Sequence, residues 1–346
     1  IENFKSIRSL ELECRRVNVF IGEPNTGKSN ILEALGLLSF IAYKGRITYY
    51  VRMRQPHELF HNFDVKKPFS IEPKPTETEI KVFGEYEEET GALSLYVEDD
   101  IGIVCVAEIM RPRPSFLERE REKLRIMWKK EKLQEPTVNF LRRVKFYRFA
   151  RDIRLEEFEW KESPRPSLLP PYGENLPTVM LLNPKLRDVI SELLGGYGYK
   201  LLIDRKGRSI SIAQETRGVL LQWPYILISD TLQRLIFHLA AIESNEGAAI
   251  IMEEPEAHAF PTYTKYLAER VALDERNQYF ISTHNPYFLL SLVEKTPIKE
   301  LAVYLTYLRG YETRAKLLSE EELEELLDMT SDVFFNLDVF VPGEET

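Results

Sequence analysis

Extended patterning dominates the start of the chain. Residues 1–7, and then Ser9 to Cys14, where Leu10, Leu12 and Cys14 alternate with Glu11 and Glu13, read as strands of period two. Val17-Asn18-Val19-Phe20-Ile21 is a compact β-branched and aromatic run that stops at Gly22. From Ser29 the period becomes helical, with Ile31, Leu32, Ala34, Leu35, Leu37 and Leu38 forming a wide apolar face. Residues 55–78 hold Pro56, Pro68, Pro73 and Pro75 and predict irregular structure. Beyond them Glu79 to Tyr86, Ala92 to Val97 and Ile101 to Met110 predict an antiparallel meander, with turns at Thr90-Gly91 and Asp99-Asp100.

The pattern changes after Arg111-Pro112-Arg113-Pro114. Phe116 to Gln134 is crowded with charges of both signs at helical spacings and predicts a charged helix, a solvated lid or a docking element. Val144 to Arg148 predicts a strand, Pro164 to Pro171 a connector, and Asn183 to Leu194 a helix stopped by Gly195-Gly196. Tyr199 to Asp204 and Ser209 to Gln214 predict a hairpin around Lys206-Gly207. Two short buried strands, Ala248 to Met252 and Gln278 to Ser282, alternate with helices at Thr231 to Ile242 and Tyr263 to Leu273. Leu301 to Tyr307 and Tyr311 to Leu317 pair across Gly310, and Ser319 with Glu322 makes a capping box for a helix ending at Asp328. Strands alternating with helices at both ends imply an α/β fold: a mixed central sheet, an N-terminal antiparallel β subdomain and an inserted helical or α+β lobe. The expected division is 1–110 and 228–346 as the two halves of one core, with 111–227 inserted as a lobe.

Composition narrows the class. The chain has 346 residues, of which 44% are hydrophobic and 29% charged, a balance that excludes a mainly disordered protein. No apolar run is long enough to span a bilayer, and residues 1–10 do not resemble a secretory signal, so no membrane association is expected. Cys14 and Cys105 form neither a disulfide framework nor a CxxC motif, which predicts a reducing, cytoplasmic setting. A net charge of −9 excludes a general basic coat for nucleic acid. Arg142 to Arg151 mixes basic and aromatic residues. It reads as a strand with one apolar and one basic face, or as a local nucleic-acid contact. Trp128, Trp160 and Trp223 read as packing residues.

The chemistry begins at Gly22-Glu23-Pro24-Asn25-Thr26-Gly27-Lys28-Ser29, a full match to GxxxxGK[ST] between a hydrophobic strand and an amphipathic helix. The glycines allow a tight turn whose N–H groups aim at an anion, and the helix N-terminus adds its positive dipole end. Lys28 would reach the β- and γ-phosphates of ATP, and the Ser29 hydroxyl would bind Mg²⁺. Gly22, Asn25, Thr26, Gly27, Lys28, Ser29 and Asn30 are the expected nucleotide-binding residues.

Two strand ends supply the rest. Ala248 to Met252 runs into Glu253-Glu254, a Walker B arrangement in which Glu253 would serve the Mg²⁺ shell and Glu254 would polarise the attacking water. Tyr279 to Ser282 leads to Thr283-His284-Asn285-Pro286, which would set His284 beside Glu254, near the γ-phosphate. Glu254, His284 and Lys28 are the expected catalytic residues.

In this order the motifs resemble ABC-type ATPases of the RecF, SMC and OLD-like group. Glu2-Asn3-Phe4-Lys5-Ser6-Ile7, Gly27-Lys28-Ser29-Asn30 followed by Ile31-Leu32-Glu33-Ala34, and Glu254-Pro255-Glu256-Ala257-His258 with Pro261 carry the likeness. Pro171-Tyr172-Gly173-Glu174-Asn175-Leu176-Pro177 resembles a segment of stand-alone members of the group. The resemblance implies a P-loop ABC-ATPase head that homodimerises around two sandwiched ATP molecules, with DNA or a nuclease or effector protein as partner. It implies a role in DNA maintenance or anti-phage defence. Ser229, within Ile228 to Arg234, fits the signature serine that reaches the partner head's nucleotide. Thr231 stands where the group has a glycine, Glu253 where it usually has aspartate, and no Q-loop glutamine is identified, Gln55 lying in roughly that region. The 62 residues after His284 contain no Toprim-like acidic pair, so no nuclease activity is expected. The alternatives are a nucleotide-gated scaffold with little or no turnover and an ABC transporter ATPase subunit.

Overall fold

The protein is described by a computed structural model. It covers residues 1–74, 79–110, 124–130, 132–151, 166–204 and 209–343. The first half builds two sheets around one helix. β1 (Glu2–Phe4), β2 (Ile7–Ser9) and β3 (Val17–Ile21) precede α1 (Lys28–Tyr43). β4 (Phe69–Ile71), β5 (Lys81–Glu87), β6 (Ala92–Asp99), β7 (Gly102–Met110) and β8 (Arg125–Trp128) follow, then α2 (Glu135–Arg143) and β9 (Val144–Tyr147). The middle contributes α3 (Leu176–Leu182), α4 (Pro184–Gly195), β10 (Tyr199–Ile203), β11 (Ile210–Thr216) and β12 (Val219–Pro224). The last third contributes α5 (Asp230–Glu243), β13 (Ala249–Glu253), α6 (Pro261–Ala272), β14 (Gln278–Ser282) and α7 (Pro286–Lys295), then β15 (Leu301–Arg309), β16 (Glu312–Leu317) and α8 (Glu320–Asp328).

The strands form a seven-stranded antiparallel sheet in the order β2-β1-β4-β5-β6-β7-β8, a three-stranded sheet β10-β11-β12, and a six-stranded sheet β16-β15-β3-β14-β13-β9. In the six-stranded sheet β15, β3, β14, β13 and β9 run parallel and only β16 is antiparallel. Side-chain alternation assigns its two faces. Val17, Val19 and Ile21 join Ile250, Met252, Tyr279 and Ile281 in one core, against α5, α6 and α7. Phe20 joins Phe146, Ile251 and Phe280 in a second core, beneath α1 and the antiparallel sheet. Sandwiched between two sheets, α1 is buried on almost every side, which explains its run of apolar residues.

Several expectations change. The charged pattern from Phe116 to Gln134 predicts a helix, but Arg125–Trp128 is a strand, and residues 116–123 and 131 lie outside those described. Ile126 pairs with Ile109 and Trp128 with Ala107, and both side chains pack on the second core, so cross-strand burial outweighs local charge pairing. Ser9 to Cys14 continues as a strand only at Ser9. β2 is an edge strand, and Leu10 and Leu12 pack on the core without a further ladder partner. β8 and β9 fall within 111–227 yet belong to the two large sheets. The hairpin near Tyr199 gains a third strand, β12, and its Lys206-Gly207 turn lies outside the described residues, as does Trp160. Among the described residues no helix is long and apolar enough to cross a membrane.

Candidate nucleotide site at the strand ends

Parallel strands deliver their C-terminal ends to one edge of the sheet. Phe20 of β3 is level with Ser282 of β14, and Ser282 with Glu253 of β13. The loop after β3 and the loops after β13 and β14 therefore emerge side by side, where ligands gather in open α/β sheets.

The phosphate loop is shaped by close approach to β15 and β16. Gly22 and Gly27 have φ of +145° and +99°. A Cβ on Gly22 would overlap the Thr306 carbonyl oxygen, and one on Gly27 would overlap the Thr313 side chain, so both positions need glycine on two counts. The Thr26 hydroxyl donates to the Glu23 carbonyl at 2.8 Å and meets the Thr306 hydroxyl at 2.7 Å. Gly27 then opens α1, whose first turn carries Lys28 and Ser29.

Lys28 is folded back into the loop. Its ammonium donates to the carbonyls of Gly22 at 2.8 Å and Glu23 at 2.7 Å. Burial pushes its pKa down to about 8, against the opposing pull of the Glu254 and Glu23 carboxylates. Asn30, expected at the nucleotide, donates instead to the Ser6 hydroxyl at 2.6 Å, and Ser6 meets Thr313 at 2.6 Å. Asn30 thus ties α1 to the β1–β2 turn.

Glu254 leaves β13 at φ +44°, an uncommon left-handed conformation for a glutamate, with its N–H bonded to the Ser282 carbonyl at 3.0 Å. This turn aims its carboxylate at His284, whose Nε2 lies 3.6 Å from Glu254 Oε1. Burial and the nearby Lys28 ammonium lower the His284 pKa, partly offset by Glu254. The three residues expected to be catalytic are therefore electrostatically coupled at one edge.

Glu253 faces the other way, into an ion-pair network. Its carboxylate lies 3.3 Å from Arg52 and 3.4 Å from Arg148. Both arginines also reach Glu33, at 2.6 Å and 3.8 Å, and Lys5 closes the group through its own pair with Glu33. Glu33 has only 1% of its side chain exposed and lies one helical turn beyond Ser29 on α1. Sequence reasoning missed Lys5, Glu33, Arg52 and Arg148 as site residues. The available signal was a glutamate within an otherwise apolar helix face, which has to find buried cations.

Ser229 lies apart from this edge. It caps α5, accepting from Leu232 N at 3.4 Å, while the Thr231 hydroxyl donates to the His258 carbonyl at 3.0 Å. Ser229 and Thr231 border a separate cleft of about 650 Å³ walled by Tyr197, Tyr199, Trp223, Phe260 and Tyr263. Gln55 precedes a short 3₁₀ turn and its N–H is taken by the Glu58 carboxylate at 3.2 Å.

No cluster of three or more His, Cys, Asp or Glu side chains suited to a metal occurs among the described residues. The Ser29 hydroxyl and the Glu253 carboxylate are ligand types that Mg²⁺ accepts, since it keeps its waters and takes its remaining ligands from phosphates rather than from an all-protein cage, and Glu253 would have to leave Arg52 and Arg148 to serve it.

A family model described as an AAA ATPase domain matches residues 1–167. The chain is similar to the SMC head solved bound to the C-winged helix domain of ScpA, at 12% identity and a TM-score of 0.50, covering 94% of this chain and 97% of that one. It also aligns with the SMC head domain from Thermotoga maritima at 11% identity, covering 92% and 97% of the two chains with a TM-score of 0.38. The recombination mediator RecF aligns at 12% identity, covering 92% and 96% with a TM-score of 0.39. No curated protein matches the chain at a significant level. The chain shares the fold of the SMC head over 94% of its length, and its residues 1–167 match the AAA ATPase domain.

Proposed function

We propose that the protein binds ATP with Mg²⁺ and hydrolyses it at the edge formed by β3, β13 and β14. The observation that carries this reading is the convergence of Lys28, Glu254 and His284 there, on the loops that leave three parallel strands, with His284 Nε2 3.6 Å from Glu254 Oε1. The triphosphate would lie along the loop N–H groups, and Lys28 would leave the Gly22 and Glu23 carbonyls for the phosphate oxygens. Mg²⁺ would be held by Ser29 and Glu253 together with the phosphates, supplying charge neutralisation. Glu254 would orient the attacking water, and His284 would donate a hydrogen bond to the γ-phosphate. Phosphate release with ATP and Mg²⁺, abolished by Lys28→Ala and slowed at least a hundredfold by Glu254→Gln with binding retained, tests the reading.

The resemblance extends this to a cycle in which two heads close on ATP and Ser229 of each reaches the nucleotide of the other. Such a cycle would drive a partner, DNA or an effector protein, in DNA maintenance or anti-phage defence. A second reading, a nucleotide-gated scaffold with little turnover, draws support from Glu253, whose carboxylate is already paired with Arg52 and Arg148. Tight ATP binding without phosphate release would favour it.

A further inference from the structure

The loops leaving β13 and β14 carry Glu254 and His284, and a third carboxylate lies between them. Glu256 is 4% exposed. Its Oε1 accepts the Thr283 hydroxyl in a short hydrogen bond. Thr283 is held in turn. Its N–H donates to the Phe20 carbonyl at 3.2 Å, at the end of the strand that feeds the phosphate loop. Its Oγ1 accepts the Asn285 N–H at 3.0 Å, and Asn285 caps α7. Glu256 is anchored from its own side, where Ala257 N–H donates to the Glu254 carbonyl and Ala259 N–H to the Glu256 carbonyl, at 3.0 and 2.9 Å.

A glutamate is a costly residue to bury in a loop. Packing alone would be served by an apolar side chain, but the Thr283 hydroxyl of the His284 loop finds its acceptor here. Glu256 Oε2 has no hydrogen-bond partner among the described residues, so the carboxylate is committed to the His284 side.

We propose that Glu256 is a positioning residue that locks the His284 loop to the Glu254 loop, so that imidazole and carboxylate stay 3.6 Å apart. The proposal rests on the reading of Glu254 and His284 as the residues at the γ-phosphate. Without Glu256, the Thr283 hydroxyl loses its acceptor, and the imidazole loses its fixed place near Lys28 and Glu254.

The experiment compares Glu256→Ala and Glu256→Gln in the full chain, since glutamine keeps an acceptor oxygen at the same place. The chain has five histidines, so the His284 imidazole can be followed by NMR and assigned with His284→Gln. In Glu256→Ala the His284 signals should shift or broaden, and kcat should fall at least tenfold with KM changed less than threefold. Glu256→Gln should restore both the signals and kcat to within about threefold of wild type. Unperturbed His284 signals in folded Glu256→Ala overturn the proposal, and so does an equal kcat loss in the two variants. If Glu256→Ala does not fold, Thr283→Val against Thr283→Ser asks the same question, and matching His284 spectra in that pair overturn it. Because the NMR readout needs no turnover, a protein that hydrolyses no ATP would refute the ATPase reading while the spectra still decide the role of Glu256.

Discussion

The guanidinium of Arg148 lies 3.4 Å from the carboxylate of Glu253, so the acidic end of β13 is charge-compensated from the neighbouring strand end of β9. Arg148 follows a strand that pairs in parallel with β13, which is why a residue 105 positions away in sequence reaches Glu253. Arg52 does the same from beyond α1, and Glu33 joins the two.

That hub gives a stability prediction. Glu33→Ala leaves the largely buried Lys5 ammonium without its carboxylate and frees both arginines. Removing one partner of a buried pair typically costs about 3 kcal/mol. Urea unfolding should show a loss of that order, and a loss below about 0.5 kcal/mol would mean the network contributes little to the fold.

The two loop glycines separate a side-chain clash from a backbone one. Gly27→Ala meets only the Thr313 side chain, whereas Gly22→Ala meets the Thr306 carbonyl oxygen as well as its hydroxyl. Each also places alanine at positive φ, so each should destabilise by about 2 kcal/mol or more. Thr313→Ala should recover part of the Gly27→Ala loss, while Thr306→Ala should recover little of the Gly22→Ala loss. A double-mutant cycle measured by thermal unfolding checks both.

Glu256 predicts a pH signature in stability. Burial pushes its carboxyl up to about 7 from an ordinary 4.5. The folded protein then keeps a proton that the unfolded chain releases, so this group's contribution worsens as pH rises through that window and levels off above about pH 7. Glu256→Gln carries no such charge. It should match wild type in stability near pH 4 and exceed it by up to about 3 kcal/mol near pH 8. Denaturant midpoints at the two pH values test this, and a pH-independent difference would contradict it.

Much of this edge was legible in the residues themselves. The phosphate loop, the Glu253-Glu254 strand end and His284 are local patterns, and the parallel register of β3, β14 and β13 brings them together as expected. The capping box at Ser319 and the meander from Lys81 to Met110 were legible for the same reason, since short-range spacing defines them. The cation network was not, because Lys5, Arg52 and Arg148 meet Glu33 only through long-range packing. β8 was hidden by charges whose helical spacing competes with cross-strand burial of Ile126 and Trp128. Asn30 lies inside a binding motif, yet its amide is used by Ser6, a contact set by the β1–β2 turn.

ATP binding should be visible without turnover. A ligand held only by the native state raises unfolding free energy by about 2.7 kcal/mol at a hundredfold excess over its Kd. ATP with Mg²⁺ should therefore raise the Tm of wild type and of Glu254→Gln but not of Lys28→Ala. An equal shift in all three proteins would place the nucleotide elsewhere.

Steady-state phosphate release by wild type, Lys28→Ala and Glu254→Gln, with ATP and Mg²⁺, tests the central claim most directly. Wild-type turnover should vanish in Lys28→Ala and drop at least a hundredfold in Glu254→Gln. Turnover that survives in both variants would contradict hydrolysis at the edge where Lys28, Glu254 and His284 meet.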